Sequence, residues 1–423
     1  MDHFNHDSRG LKGMQNSSQN RYLFIDYLRG FVVALVVIDH AIQAYAPHFG
    51  KYWFLPDIER HIFYDVFHMN NNSFMMPILF FLAGLFVIPS LKRRGYLDFI
   101  KERFLKLVVP FVVGVPLLAP IVSYSDYLAK QGENAEGYFS YVVNVFFASN
   151  FVQVGIFWFL YYLIAVTTVF VAIYTVFPAL IRLFGRLTQW MASKPITGFI
   201  VFSAISAVIL GVSDLIWGAP WFIGWGRFFH VQGSRFILLA FYFLIGMAIG
   251  EVGLLNDKDF WQRFSAKWFN WLIFTVVVGG VYIGYTLMNL SEGVYNSDVR
   301  YFFYQGGTLD EAWPLIIQAA PPVLIRTTLH GIFCAAQVLT LLAVFYRFLN
   351  HPSAPWASLA ACSYGIYLIH EGFVVWLHYW LYGTEIPIIF KVALSGFGSL
   401  MVSWAIADKI LLKVPVLRRV LYR

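Results

Sequence analysis

Runs of about 20 apolar residues, the length that crosses a bilayer core as a helix, recur along the whole chain. They fall at 24–45, 73–91, 104–125, 155–177, 197–217, 234–254, 268–288, 322–348, 359–380 and 388–411. This pattern predicts an all-α, polytopic integral membrane protein with about ten transmembrane helices. The eighth run opens near Pro321 and Pro322, which suits a first helical turn. Stretch 134–152, with Tyr138, Tyr141, Phe146 and Phe147, is amphipathic and fits a position along the membrane surface. No internal repeat of the inverted-repeat transporter kind is visible.

Composition agrees with the periodicity. The 423 residues are 59% hydrophobic and only 13% charged, about half the charged share of a soluble domain, near 25%. Aromatics, at 19%, suit lipid-facing surfaces and interfacial belts. The net charge of +7 sits in short loops between spans and forms no basic patch of the nucleic-acid kind. Cys334 and Cys362, the two cysteines, lie inside apolar runs, so neither a disulfide framework nor a thiolate metal site is expected. No metal and no tightly bound cofactor are expected. Residues 1–23 are polar and lack the apolar stretch of a cleavable leader. They read as a disordered cytosolic tail, 24–411 as the transmembrane domain, and 412–423 as a basic cytosolic tail.

Lys and Arg in short loops give the orientation. Lys92, Arg93, Arg94, Lys101, Arg103 and Lys106 share one side with Arg182, Arg186 and Lys194, with Lys258, Arg263 and Lys267, and with the C-terminal Lys413, Arg418, Arg419 and Arg423. Opposite loops lean acidic, with Asp126, Glu133 and Glu136, then Glu292, Asp298, Asp310 and Glu311. Both termini are therefore expected in the cytosol.

Ionisable groups inside a span are costly and are functional candidates by default. Below its first turn, which carries Asp26, the first span holds three: Arg29, Asp39 and His40. Eleven steps along a helix bring Arg29 and His40 to within about 20° of one face, roughly 16 Å apart along the axis. His40 suits general acid–base work, or packing against a neighbouring backbone group. Arg29 could pair with Asp26 three residues earlier, or snorkel to the surface. With Arg103 and Lys106, one turn apart before Pro110, it could instead hold phosphates. The amides Asn70, Asn71 and Asn72 could bind carbohydrate hydroxyls or cap a helix, and Ala83 and Gly84 allow close helix approach. In the ninth span Ser363, Tyr367 and His370 fall on one face at i, i+4 and i+7, and Glu371 adds a second carboxylate at membrane depth. Arg326 and His330 sit one turn apart in the eighth span. Trp158, Asp214, Arg235 and Lys391 are further groups within spans.

In this order the motifs resemble the membrane-bound acyltransferase 3 family over nearly the whole chain. Its arginine–ten–histidine signature matches Arg29 and His40. Phe80-Phe81-Leu82-Ala83-Gly84 matches a second-span Phe-Phe-Leu-Ser-Gly pattern, with alanine for serine. Arg103-Phe-Leu-Lys106 stands where family members often carry Arg-x-x-Arg, and Cys362-Ser363-Tyr364-Gly-Ile-Tyr367-Leu-Ile-His370 approximates Tyr-Ser-x-Tyr-Leu-x-His. Met76-Pro77-Ile-Leu-Phe80-Phe81 and Phe157-Trp158-Phe159-Leu160-Tyr161-Tyr162 resemble the branch containing the periplasmic glucan succinyltransferase, with Met75 where that branch has arginine.

The resemblance implies transfer of an acyl group (acetyl, succinyl or similar) from cytosolic acyl-CoA to a hydroxyl of an extracytoplasmic carbohydrate or glycan, in a bacterial plasma or inner membrane. On that basis His40 is the expected catalytic group, activating the acceptor hydroxyl or taking the acyl group transiently. Glu371, His370 or Asp39 is expected to orient it or supply a second proton site, with Glu371 and Asp39 counted as catalytic. Arg29, Arg103 and Lys106 are expected at the donor's phosphates, and Ser363, Tyr367, His370 and Trp158 at the substrate. The competing reading is a proton-coupled small-molecule transporter or exporter working through Asp39 and His40.

Overall fold

A computed structural model describes residues 22–218, 222–290 and 308–422. α1 (Leu23–Gln43) leads into α2 (Ile62–Asn72), α3 (Met75–Leu85) and α4 (Val87–Arg94), which follow one another as one broken run. Next come α5 (Tyr96–Arg103), a π-helical segment at Phe104–Val108, α6 (Val109–Gln131) and the short α7 (Tyr138–Tyr141). α8 (Trp158–Val176), α9 (Pro178–Ser193) and α10 (Pro195–Trp217) precede a two-stranded antiparallel ribbon, β1 (Phe222–Trp225) and β2 (Phe229–Gln232). The chain continues through α11 (Phe236–Val252), α12 (Lys258–Ser265), α13 (Trp268–Met288), α14 (Leu309–Leu349) and α15 (Ala354–Leu381). α16 (Ile388–Ala393), α17 (Ser399–Ile406) and α18 (Pro415–Leu421) complete it, with π-helical turns at Leu394–Gly398 and Ala407–Leu411.

Among the described residues, eight helical stretches are long and apolar enough to cross a membrane: 62–94, 96–134, 155–176, 195–217, 268–288, 310–349, 354–381 and 388–411. Two more of the expected spans correspond to α1, which carries Asp26, Arg29 and Asp39, and to α11, which has 17 residues. The chain is thus a helical, multi-pass membrane protein, and the ribbon β1–β2 is a small departure from an all-α fold.

The structure moves several boundaries. The second span starts at Ile62, because the polar residues of α2 hide that turn from a hydropathy reading. Helix α14 starts at a capping box made by Thr308 and Glu311, so Pro321 and Pro322 lie inside it and not in its first turn. Interior prolines persist in such helices because neighbouring elements satisfy the backbone groups they free. Beyond a 3-10 turn that ends at Asn134, stretch 134–152 is helical over 138–146, and α9 and α12 are amphipathic helices where the sequence suggested loops. The expected tail at 1–23 lies outside the described residues up to 21, and Leu23 already belongs to α1. Within the basic segment 412–423, α18 (Pro415–Leu421) is helical and buries Leu421.

Helix α1 occupies the middle of the bundle, against α15, α14 and α2. Its apolar face buries Val32, Val36, Val37 and Ala41. Helices α3 and α11 approach backbone to backbone: a Cβ on Gly84 would strike the Phe243 carbonyl, and one on Gly246 the Phe81 carbonyl. Gly84 therefore serves close helix approach, as its size suggests.

Candidate functional site

The contact between α1 and α15 brings two histidines together. His40 Nδ1 lies 3.1 Å from His370 Nε2, and the rings stack with centroids 5.1 Å apart. His370 Nδ1 faces the carbonyls of Tyr367 at 2.7 Å and Ile366 at 3.2 Å. A ring nitrogen facing two acceptors must carry the proton, so His370 Nε2 is an acceptor in the neutral ring. His40 then donates from Nδ1, and its Nε2 keeps a lone pair. Nε2 has no hydrogen-bond partner among the described residues, and His40 is half-buried.

A third histidine fixes the wall of this site. His378 Nε2 donates to the Ala41 carbonyl at 2.9 Å, and its Nδ1 accepts from the Trp53 indole N–H at 2.9 Å. The indole is thereby held with its centroid 5.2 Å from that of His40. The 44–61 segment carrying Trp53 is itself anchored: Lys391 Nζ reaches the Asp57 carboxylate at 3.1 and 3.2 Å, with both residues buried.

Asp39 turns away from His40. Successive helix positions differ by about 100°, and its carboxylate accepts from His68 Nδ1 at 3.0 Å and from Asn71 Nδ2 at 3.3 Å. Behind them run two donor chains. Arg235 Nη1 donates to Asn72 Oδ1 at 2.7 Å, and Asn72 Nδ2 donates to His68 Nε2 at 3.2 Å. Gln337 Nε2 donates to Asn70 Oδ1 at 3.2 Å, and Asn70 Nδ2 donates to Asn71 Oδ1 at 3.1 Å. The amide run thus engages partners within the bundle, and both chains of N–H donors end on Asp39.

Glu371 and Tyr367, one turn apart on α15, grip a single residue. The Ile156 N–H donates to Glu371 Oε2 at 3.1 Å, and the Tyr367 hydroxyl donates to the Ile156 carbonyl. Gly155, at φ +53°, permits this: a side chain there would be strained and its Cβ would strike the Glu371 carboxylate. A carboxylate at a helix start also complements the dipole, here at the turn that leads into α8 and its first residue, Trp158. Ser363 bonds back to the Ala360 carbonyl at 2.9 Å. His370 is therefore the member of the ninth-span stripe that meets His40, while Glu371 and Tyr367 fasten the loop before Trp158.

The candidate donor-binding cations lie toward the opposite end of α1. Arg29 lies 3.4 Å from Asp26 and donates to the Ala360 carbonyl at 3.4 Å. Lys106 pairs with Glu102 at 2.7 Å, and Glu102 also takes Arg94. The Arg103 guanidinium lies 5.0 Å from the Phe99 ring centroid. Pro110 explains the local backbone. It has no N–H to offer the Lys106 carbonyl four residues back; the helix widens at 104–108, and the Tyr364 hydroxyl of α15 fills that carbonyl instead.

His68, His378 and Trp53 escape the sequence reading. His378 carried a signal: it stands eight residues after His370 inside the same apolar run. Trp53 carried none, because its position depends on a loop closure between distant residues.

A family model described as "Acyltransferase domain" matches residues 22–408. No curated protein and no solved structure matches the chain.

Proposed function

Because the chain belongs to the acyltransferase 3 family, we propose that this multi-pass membrane acyltransferase moves an acyl group from cytosolic acyl-CoA to a hydroxyl of an extracytoplasmic carbohydrate, in a bacterial plasma membrane with both termini in the cytosol. The acyl group on this reading is acetyl, succinyl or similar. The observation that carries the reading is the committed Nδ1 of His40, which leaves Nε2 as the basic nitrogen.

On this reading the acceptor hydroxyl gives its proton to His40 Nε2 as its oxygen attacks the thioester carbonyl. The tetrahedral adduct collapses, the C–S bond breaks, and the departing thiolate takes the proton back from Nε2. A variant path, in which Nε2 itself carries the acyl group before the hydroxyl attacks, uses the same nitrogen. Arg29, Arg103 and Lys106 hold the donor's phosphates, which compete with Asp26 and Glu102 for them. Trp158 and the Tyr367–Glu371 grip shape the wall before α8. Asp39 serves through His68 and Asn71 as a positioning residue.

The test is acyl transfer by purified protein in liposomes, with labelled acetyl-CoA and a mixture of methyl glycosides. His40→Ala is expected to lower transfer by at least about 10²-fold while eluting as the wild type does on size exclusion. Full turnover in that variant, or solute movement without any thioester, would overturn the proposal.

A further inference from the structure

α18 ends the described chain at an open surface cleft of about 380 Å³ lined by Lys413, Pro415, Arg418, Arg419 and Tyr422, within the volume range of small-molecule sites. We infer that this cleft binds the phosphorylated nucleotide end of the acyl donor, a deepening that rests on the acyl-CoA reading above.

Three observations carry it. The first is charge. From Ile410 to Tyr422 the chain has Lys413, Arg418 and Arg419 and no acidic residue, and the nearest acid before them, Asp408, is paired with Lys409 at 2.6 Å. The second is chemistry. The Arg418 guanidinium lies 5.6 Å from the Tyr422 ring centroid, so planar aromatic and planar cationic surfaces stand side by side. That combination suits a purine ring next to phosphate esters, since guanidinium both stacks and forks onto phosphate. The third is place. α18 packs against the 104–108 segment that contains Lys106 and against α15, whose Tyr364 holds the Lys106 carbonyl. Two cationic segments some three hundred residues apart in sequence meet there.

Leu421 is buried and anchors α18 on the protein, while Val416 and Leu417 stay exposed beside the basic residues. Phosphate esters are common to nucleotides and lipid headgroups, so the experiment separates the two sources. Full-length protein in nanodiscs of phosphatidylcholine alone, or with phosphatidylglycerol, is given acetyl-CoA or S-acetylpantetheine, which lacks the nucleotide. The wild type is expected to prefer acetyl-CoA in kcat/KM. Arg418→Glu with Arg419→Glu should reduce that preference about tenfold or more in both membranes. Arg418→Gln with Arg419→Gln, which adds no new charge, should fall between.

A preference that survives both double variants would overturn this inference alone. So would a loss confined to phosphatidylglycerol discs, which marks a lipid site, or an equal loss with both thioesters, which marks a structural role. Wild-type protein that uses neither thioester would overturn the donor reading and this inference with it.

Discussion

His370 selects the basic nitrogen of His40, because its own Nδ1 is committed to the Tyr367 and Ile366 carbonyls. Without that acceptor, His40 would be free to place its proton on either nitrogen. His370→Leu is therefore expected to lower kcat by about 10²–10⁴-fold, the range for acid–base groups, with little change in the KM of the thioester. His370→Gln can both donate to a carbonyl and accept from His40, and should recover part of the loss. Steady-state kinetics on the two variants checks this; equal activity of leucine and glutamine would remove the tautomer argument. The sequence exposed His40 and His370 as costly polar groups in apolar runs. It could not show that Asp39 belongs to His68, because neighbours in sequence point to different faces of a helix, and their partners come from α2.

At the level of elements, α15 works as a clamp. Tyr367 and Glu371 take the carbonyl and the N–H of Ile156, so the turn into α8 hangs on one face of another helix. Glu371→Gln keeps an oxygen acceptor for that N–H and should retain most turnover, whereas Glu371→Leu strands a buried donor at about 1–3 kcal/mol and should lower the apparent melting temperature. If Glu371→Gln were as inactive as His40→Ala, the carboxyl would be a catalytic residue. Gly155→Ala should destabilise further, with strain of about 1–2 kcal/mol from the left-handed backbone and a steric clash with Glu371. Long apolar runs made most helices legible. The start of α2 was not, since its amides and His68 are buried by partners that a linear hydropathy pattern does not contain. Pro321 and Pro322 misled in the opposite sense: inside a bundle a proline marks a carbonyl for a neighbour to fill as readily as a helix start.

Across the whole molecule, the loop over His40 is tied to the last membrane helices by a buried ion pair. Lys391→Met leaves Asp57 charged and enclosed, a loss of about 3–5 kcal/mol. Asp57→Leu combined with Lys391→Met should recover much of that stability, because an apolar pair replaces two desolvated charges. Thermal unfolding in detergent reads both, and a double variant no better than the single one would show that the pair does more than close the loop. Arg29 and His40 stand on one continuous helix, α1, which packs against α15, α14 and α2. An α-helix hardly stretches, so their separation of about 16 Å is fixed by eleven residue rises. On the proposed donor path α1 is a ruler: a thioester whose arm between nucleotide and acyl group has been shortened can occupy the cationic end, yet its carbonyl stops short of the imidazole.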